Sequence, residues 1–215
     1  MKSNLQRIQF FVWGFLLLVI LFIVGAFIWS RVENGGLAAK PLLIYGDAGD
    51  FSLTNQHNQI VSGANLRGKI WVADVIFTRC PLQCVRMTKR MQQLQEAAPK
   101  NVPLQFISIT ADPQFDTPEI LQAYAQHYGA KQDRWHFLTG PKSEINRLAV
   151  TGLKLVVYEK KPEEREVPAD LFLHSTKFVL VDGQGKIRGW FDGEKADTKG
   201  EIIRAIKLLL REKKI

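Results

Sequence analysis

Three hydrophobic rhythms succeed one another along the chain. The first is continuous: Phe10 to Trp29 reads FFVWGFLLLVILFIVGAFIW, twenty positions without a charge, enough at helical rise to cross the hydrocarbon core of a bilayer. Trp13 and Trp29 stand near its ends, where aromatic belts form. The second rhythm is a set of short apolar runs. Lys69 to Phe77 (KIWVADVIF) and Leu104 to Ile109 suit strands buried on both faces, and Trp135 to Leu138 a shorter one. The third has helical spacing. Cys84 to Ala98 places Val85, Met87, Thr88, Met91 and Leu94 on a helix ended by Pro99. Thr117 caps a second helix, Pro118 fits its first turn and Gly129 ends it. A short helix follows over Ser143 to Val150, and a last one over Asp197 to Glu212. Hairpins are expected at Asp50–Leu53 with Gln59–Val61, and at Lys177–Val181 with Lys186–Phe191 across the turn Asp182-Gly183-Gln184-Gly185.

Strand and helix in alternation, then an antiparallel hairpin and a closing helix, predict an α/β, thioredoxin-like three-layer sandwich behind an N-terminal transmembrane helix. The predicted organisation is a tail over 1–9, an anchor over 10–29, a linker over 30–40 (SRVENGGLAAK, loosened by Gly35 and Gly36) and a folded domain over 41–215. A cleaved signal peptide is the alternative for the apolar run. That run is longer than an ordinary h-region and no clear A-x-A site follows it. Lys2 and Arg7 precede it, whereas Arg31 and Lys40 are offset by Glu33, Asp47 and Asp50 beyond it. The positive side stays cytoplasmic, so the expectation is a single-pass protein of a bacterial inner membrane with a periplasmic domain.

Charge changes this picture little. The formal net charge of +8 is spread thinly. Its densest part, Arg204, Lys207, Arg211, Lys213 and Lys214, alternates with Ile203, Ile206, Leu208, Leu209 and Leu210, an amphipathic helix with a solvated basic face. A translocated domain does not meet nucleic acid, so no nucleic-acid role is expected.

The chemistry concentrates in FTRCPLQCVRM, which holds both cysteines of the 215-residue chain, Cys80 and Cys84. They follow the first central strand and open a helix, at the strand ends where open α/β sheets collect ligands. A helix N-terminus favours thiolate over thiol. A four-residue step puts both sulfurs on one helix face, and Pro81 suits the turn because it carries no amide proton. A structural disulfide, a catalytic redox pair and a metal site all remain open, although so short a loop contributes little as a staple. For a metal, two thiolates select Cu(I), with Cu(II) also possible and an imidazole as third ligand. Structural zinc and iron–sulfur clusters ordinarily ask for four protein ligands. The four histidines, His57, His127, His136 and His174, compete for the third place. Their local patterns read respectively as a solvated turn, a helix end, a packed strand position and the mouth of a hairpin.

FTRCPLQC after an apolar strand, then SITADPQFDTPEILQAYAQHYGA, FLTG and HSTKFVLVDGQGKIRGWFDG, together resemble the SCO/SenC family over Phe51 to Asp192. Members are membrane-anchored, thioredoxin-like copper chaperones that help build the dinuclear copper centre of cytochrome c oxidase, and some act chiefly as thiol–disulfide oxidoreductases. The resemblance implies Cys80, Cys84 and His174 as copper ligands. It implies a copper-bearing oxidase subunit, or another envelope copper or thiol protein, as partner. Asp112, Asp116 and Glu119 read as turn and helix caps, with a catalytic acid role for Asp112 or Asp116 as the alternative. Asp182–Gly185 reads as a hairpin turn with too few acids for calcium. Three features depart from the family pattern. Leu82 and Gln83 stand where an acid is common between the cysteines, Val85 replaces a proline after the second, and Leu173 replaces an Asp before the histidine. That last change removes a carboxylate that could orient the imidazole. A peroxidase of peroxiredoxin type shares the expected fold, but its Thr/Ser-x-x-Cys loop is not present.

Overall fold

A computed structural model describes residues 2–33, 41–80, 82–99 and 101–212. Residues 34–40 of the predicted linker, Pro81, Lys213 and Lys214 lie outside the described residues. The chain divides into two units, 1–40 and 41–215. The first is one helix, α1 (Lys2–Glu33). Its stretch Gln9–Trp29, with a mean hydropathy of 2.9, is long and apolar enough to cross a membrane.

The second unit is built on a sheet of eight strands in the order β1-β10-β9-β4-β5-β6-β2-β3. In chain order these are β1 (Gly46–Asp47), β2 (Ser52–Asn55), β3 (Ile60–Ser62), β4 (Ile70–Ile76), β5 (Leu104–Thr110), β6 (Trp135–Thr139), β9 (Lys177–Val181) and β10 (Lys186–Asp192). The centre is parallel: β4 pairs with β5 and β5 with β6. All seven residues of β4 and all seven of β5 are buried. That burial explains their unbroken apolar runs and requires cover on both faces. α2 (Gln83–Ala97) packs on β4 and on α5 (Thr198–Arg211), α3 (Pro118–His127) on β6 and β2, and α4 (Lys142–Asn146) on β2. The architecture is the three-layer α/β sandwich that the hydrophobic pattern predicts.

Local chemistry sets the element ends as expected in several places. The Thr117 hydroxyl accepts the Ile120 N–H, capping α3. Asp182 holds the last hairpin, its Oδ1 accepting the N–H groups of Gln184 and Lys186. α5 buries Ile202, Ala205, Ile206 and Leu209 and turns Lys207 and Arg211 to solvent. Elsewhere the pattern misleads. The predicted helix over Ser143 to Val150 is only α-helical to Asn146 and continues as a wider π turn over Arg147–Gly152, where Gly152 lies against the Ala48 carbonyl too closely for a Cβ. Three strands were not anticipated, among them the two-residue edge strand β1. β7 (Val157–Glu159) and β8 (Phe172–His174) pair as a separate antiparallel ribbon. At three residues each they are too short to show an alternation.

One buried cation ties the outer edge together. Arg188 on β10 is 2% exposed. It donates to Asp182 at 2.8 Å, to Glu212 at 2.6 Å and to the carbonyls of Leu42 and Leu43. A guanidinium suits this place because its planar fork serves several acceptors at once. Removing it strands a fully buried Asp182 carboxylate. Arg188→Ala is expected to cost about 3–5 kcal/mol, read as a lowered urea midpoint, whereas reversal at the exposed Lys207 should leave the midpoint within about 0.5 kcal/mol.

Candidate metal centre

β4 ends at Ile76, and the chain passes through Phe77, Thr78 and Arg79 into α2, so Cys80 lies in the turn and Cys84 in the first helical turn. Both thiols are free and buried. The Cys84 N–H donates to Cys80 Sγ at 3.4 Å, and the Phe77 N–H donates to Cys84 Sγ at 3.4 Å. One amide of the helix start and one from just past the end of β4 thus point at sulfur. The ribbon brings the third group. His174, last residue of β8 and 5% exposed, sets Nε2 3.1 Å from Cys84 Sγ. Its Nδ1 lies 3.2 Å from the Ser175 carbonyl oxygen. A carbonyl only accepts, so Nδ1 carries the proton and Nε2 presents a lone pair to the thiols. Phe77 stands edge-on to the imidazole at 5.7 Å and to Phe172 at 5.2 Å, which packs the ribbon onto the end of β4.

Among the described residues, Cys80, Cys84 and His174 form a group whose ligand atoms all lie within 4.8 Å of one another. The other histidines stay apart from it. His136 on β6 bonds Asn55 and Gln105, and burial pulls its pKa down. His127 stacks edge-on against Tyr128 at the end of α3. His57 sits in the β2–β3 turn, its N–H bonded to the Asn55 side chain.

The two thiols are electrostatically unlike. Hydrogen bonding from Cys84, helped by the local amides and working against burial, brings the Cys80 pKa down to about 4. Burial, followed by the neighbouring Cys80 sulfur, pushes Cys84 up. The pair therefore holds one thiolate and one thiol at neutral pH. This asymmetry suits Cys80, not Cys84, to nucleophilic attack, with His174 Nε2 3.1 Å from the Cys84 sulfur.

The loop is fixed by the two acids of the DPQFD stretch, which act differently from the caps the sequence suggests. Asp116, fully buried, accepts the Thr78 N–H at 3.2 Å and the hydroxyls of Thr78 and Thr110. Asp112 pairs with Arg79 at 2.5 Å, and Arg79 also stacks over Phe115 at 4.2 Å. Both carboxylates reach back to the residues just before Cys80. Neither serves as the helix cap, a role Thr117 fills.

A family model described as SCO1/SenC matches residues 46–211. The chain belongs to the SCO1/SenC family. The SCO1 protein homolog of Bacillus subtilis is 35% identical over 175 residues, covering 80% of this chain and 87% of the relative. The solved structure of BsSco, described as a member of the Sco family of cytochrome c oxidase assembly proteins with a disulfide switch, is similar at 34% identity and a TM-score of 0.62, over 78% of this chain and 95% of its own. Copper-bound ScoI of Bradyrhizobium japonicum shares the fold at 22% identity and a TM-score of 0.62, over 75% of this chain and 98% of its own.

Against this family background the departures become local. Leu82 is 68% and Leu173 53% exposed, so both replacements place apolar side chains on the surface around the site. Alternation along β8 turns residue 173 away from the face that carries His174. The imidazole is oriented instead by the Ser175 carbonyl, a backbone group to which no sequence signal points.

Sequence reading also passed over Asp74. It lies on β4, 0% exposed, with Oδ1 accepting the Ser108 hydroxyl at 2.7 Å and Oδ2 without a hydrogen-bond partner. A single acid inside KIWVADVIF was the available clue. Burial raises its pKa to about 7. The folded state therefore favours the protonated acid, and the associated stability, about 4 kcal/mol at most, is present below pH 3.8 and lost as pH rises through 7. Urea midpoints between pH 4 and pH 8 are expected to fall in the native chain and to flatten in Asp74→Asn. The thiol asymmetry has its own readout: Cys80 should alkylate with iodoacetamide near its full rate at pH 6, where an ordinary thiol is nearly silent and Cys84 stays unmodified.

Proposed function

We propose that this protein is a membrane-anchored copper-binding protein that delivers copper to, or prepares the cysteines of, the copper centre of cytochrome c oxidase. Residues 1–9 remain cytoplasmic, 10–29 span a bacterial inner membrane, 30–40 link, and 41–215 work in the periplasm. Copper is cargo, held by Cys80 Sγ, Cys84 Sγ and His174 Nε2, with Cu(I) favoured and Cu(II) possible. The observation that carries this reading is the donor set itself: two unbridged cysteines and an imidazole with Nε2 turned to them, all buried with ligand atoms within 4.8 Å of one another. Soft sulfur with one imidazole suits low-coordinate Cu(I) and leaves structural zinc a ligand short. Membership of SCO1/SenC, and the likeness to BsSco and to copper-bound ScoI, support the same reading.

A second reading, thiol–disulfide oxidoreductase of the envelope, is favoured by the low pKa of Cys80. The Cys80 thiolate attacks a partner disulfide and releases one partner thiolate. The Cys84 sulfur, its proton passed to His174, then attacks Cys80 Sγ and frees the second. Two electrons reach the partner and the Cys80–Cys84 disulfide remains. Metal loading requires the reduced pair, so both readings use the same thiols.

The test is a copper titration of the full chain in neutral detergent beside His174→Ala. Stoichiometric binding by the reduced native chain is expected, with affinity lower by about 10–100-fold in the variant. A reduced chain that holds no copper yet reduces a partner disulfide would leave only the second reading.

A further inference from the structure

A cleft of about 520 Å³ opens beside the ribbon that carries His174. Lys142, Lys160, Lys161 and Arg165 line it against one carboxylate, Glu159. A smaller chamber of about 230 Å³ continues it past Ala111 and Phe172 toward Asp112. Glu159 holds Lys142 at 2.6 Å, and Asp170 holds Lys160 at 2.6 Å. Lys161 and Arg165 have no carboxylate at ion-pairing distance among the described residues, and Arg165 donates to the Lys160 carbonyl.

Folding, not composition, makes this surface cationic. The segment KKPEERE, residues 160–166, is locally neutral, with three cations and three glutamates. All three cations line the cleft and none of the glutamates does. Glu164 is turned to the Tyr158 hydroxyl and the Lys161 N–H instead. The cleft also touches the thiol site through one side chain. Phe172 lines both chambers, its ring packs on Phe77 at 5.2 Å, and Phe77 packs on His174 at 5.7 Å.

We propose that this cleft docks an extended acidic segment, consecutive Asp or Glu residues, of the protein that exchanges metal or disulfide with Cys80 and Cys84. The inference rests on the exchange reading above and names the chemistry of the partner. Four cations against one carboxylate in a concave wall concentrate positive field there and raise the encounter rate of an acidic chain. Complementary charge fixes register more than it adds affinity, which suits a partner that must present one reactive atom beside Cys80 and then leave. A concave site admits a chain and not a flat bilayer.

The experiment measures fluorescein-labelled hexaglutamate binding by anisotropy, with the copper-free full chain in neutral detergent. Lys161→Glu/Arg165→Glu is compared with Lys199→Glu/Lys207→Glu, which makes the same change in net charge on the exposed face of α5. The expected result is a Kd raised about tenfold or more in the first variant and less than about twofold in the second, with native binding weakening as salt rises. Copper affinity should be unchanged in both, so failure here is distinguishable from failure of the copper reading. Lys161→Gln, at an exposed side chain, repeats the test in milder form if the double reversal melts early. Equal losses in the two double variants, unchanged binding in the first, or binding of phosphatidylglycerol vesicles through Lys161 and Arg165 without peptide binding overturns the proposal.

Discussion

The hydrogen bond from His174 Nδ1 to the Ser175 carbonyl decides what the site can be. It fixes the tautomer, and the tautomer leaves the opposite nitrogen as an acceptor aimed at Cys84 Sγ. Were the proton on Nε2, the same three side chains would offer neither a third metal donor nor a base for the second thiol. The bond depends in turn on the ribbon of β7 and β8, which lies outside the main sheet and is pinned to the end of β4 by Phe172 on Phe77.

The thiol side depends on buried polar groups satisfied in a set order. Asp116 takes three donors from Thr78 and Thr110, and so fixes the turn that presents Cys80. Backbone amides reach both sulfurs, one from the start of α2 and one from Phe77 just past β4. The result is a divided pair, one sulfur charged and one protonated, in surroundings that exclude water. Beneath it Asp74 keeps an unpartnered oxygen inside the sheet. A group in that position favours its protonated form, and its ionisation costs stability in a strand whose other residues are all apolar.

Much of the scaffold was legible because its signals are long. The runs around Val72 and Ile107 could only be buried strands, and Thr117-Pro118 could only start a helix. The cysteines at a strand end, opening a helix, marked the site before any coordinates. That His174 joins the two cysteines was legible only by resemblance, since the pattern around His174 differs little from that around His136. What stayed hidden shares one cause. The Ser175 carbonyl, the sorting of Lys161 and Arg165 and the backward reach of Asp112 to Arg79 all depend on the path of the folded backbone, which residue types alone do not encode. A carbonyl has no letter, and a neutral stretch such as KKPEERE does not say which side its cations will take.

The identity of the donors is the claim on which everything else rests. X-ray absorption at the copper edge of the full chain, reduced and loaded with one Cu(I), reads it directly. Two sulfur scatterers and one imidazole nitrogen are expected, with the imidazole signal lost in His174→Ala. A shell without sulfur, or an imidazole signal that survives that substitution, would contradict the assignment.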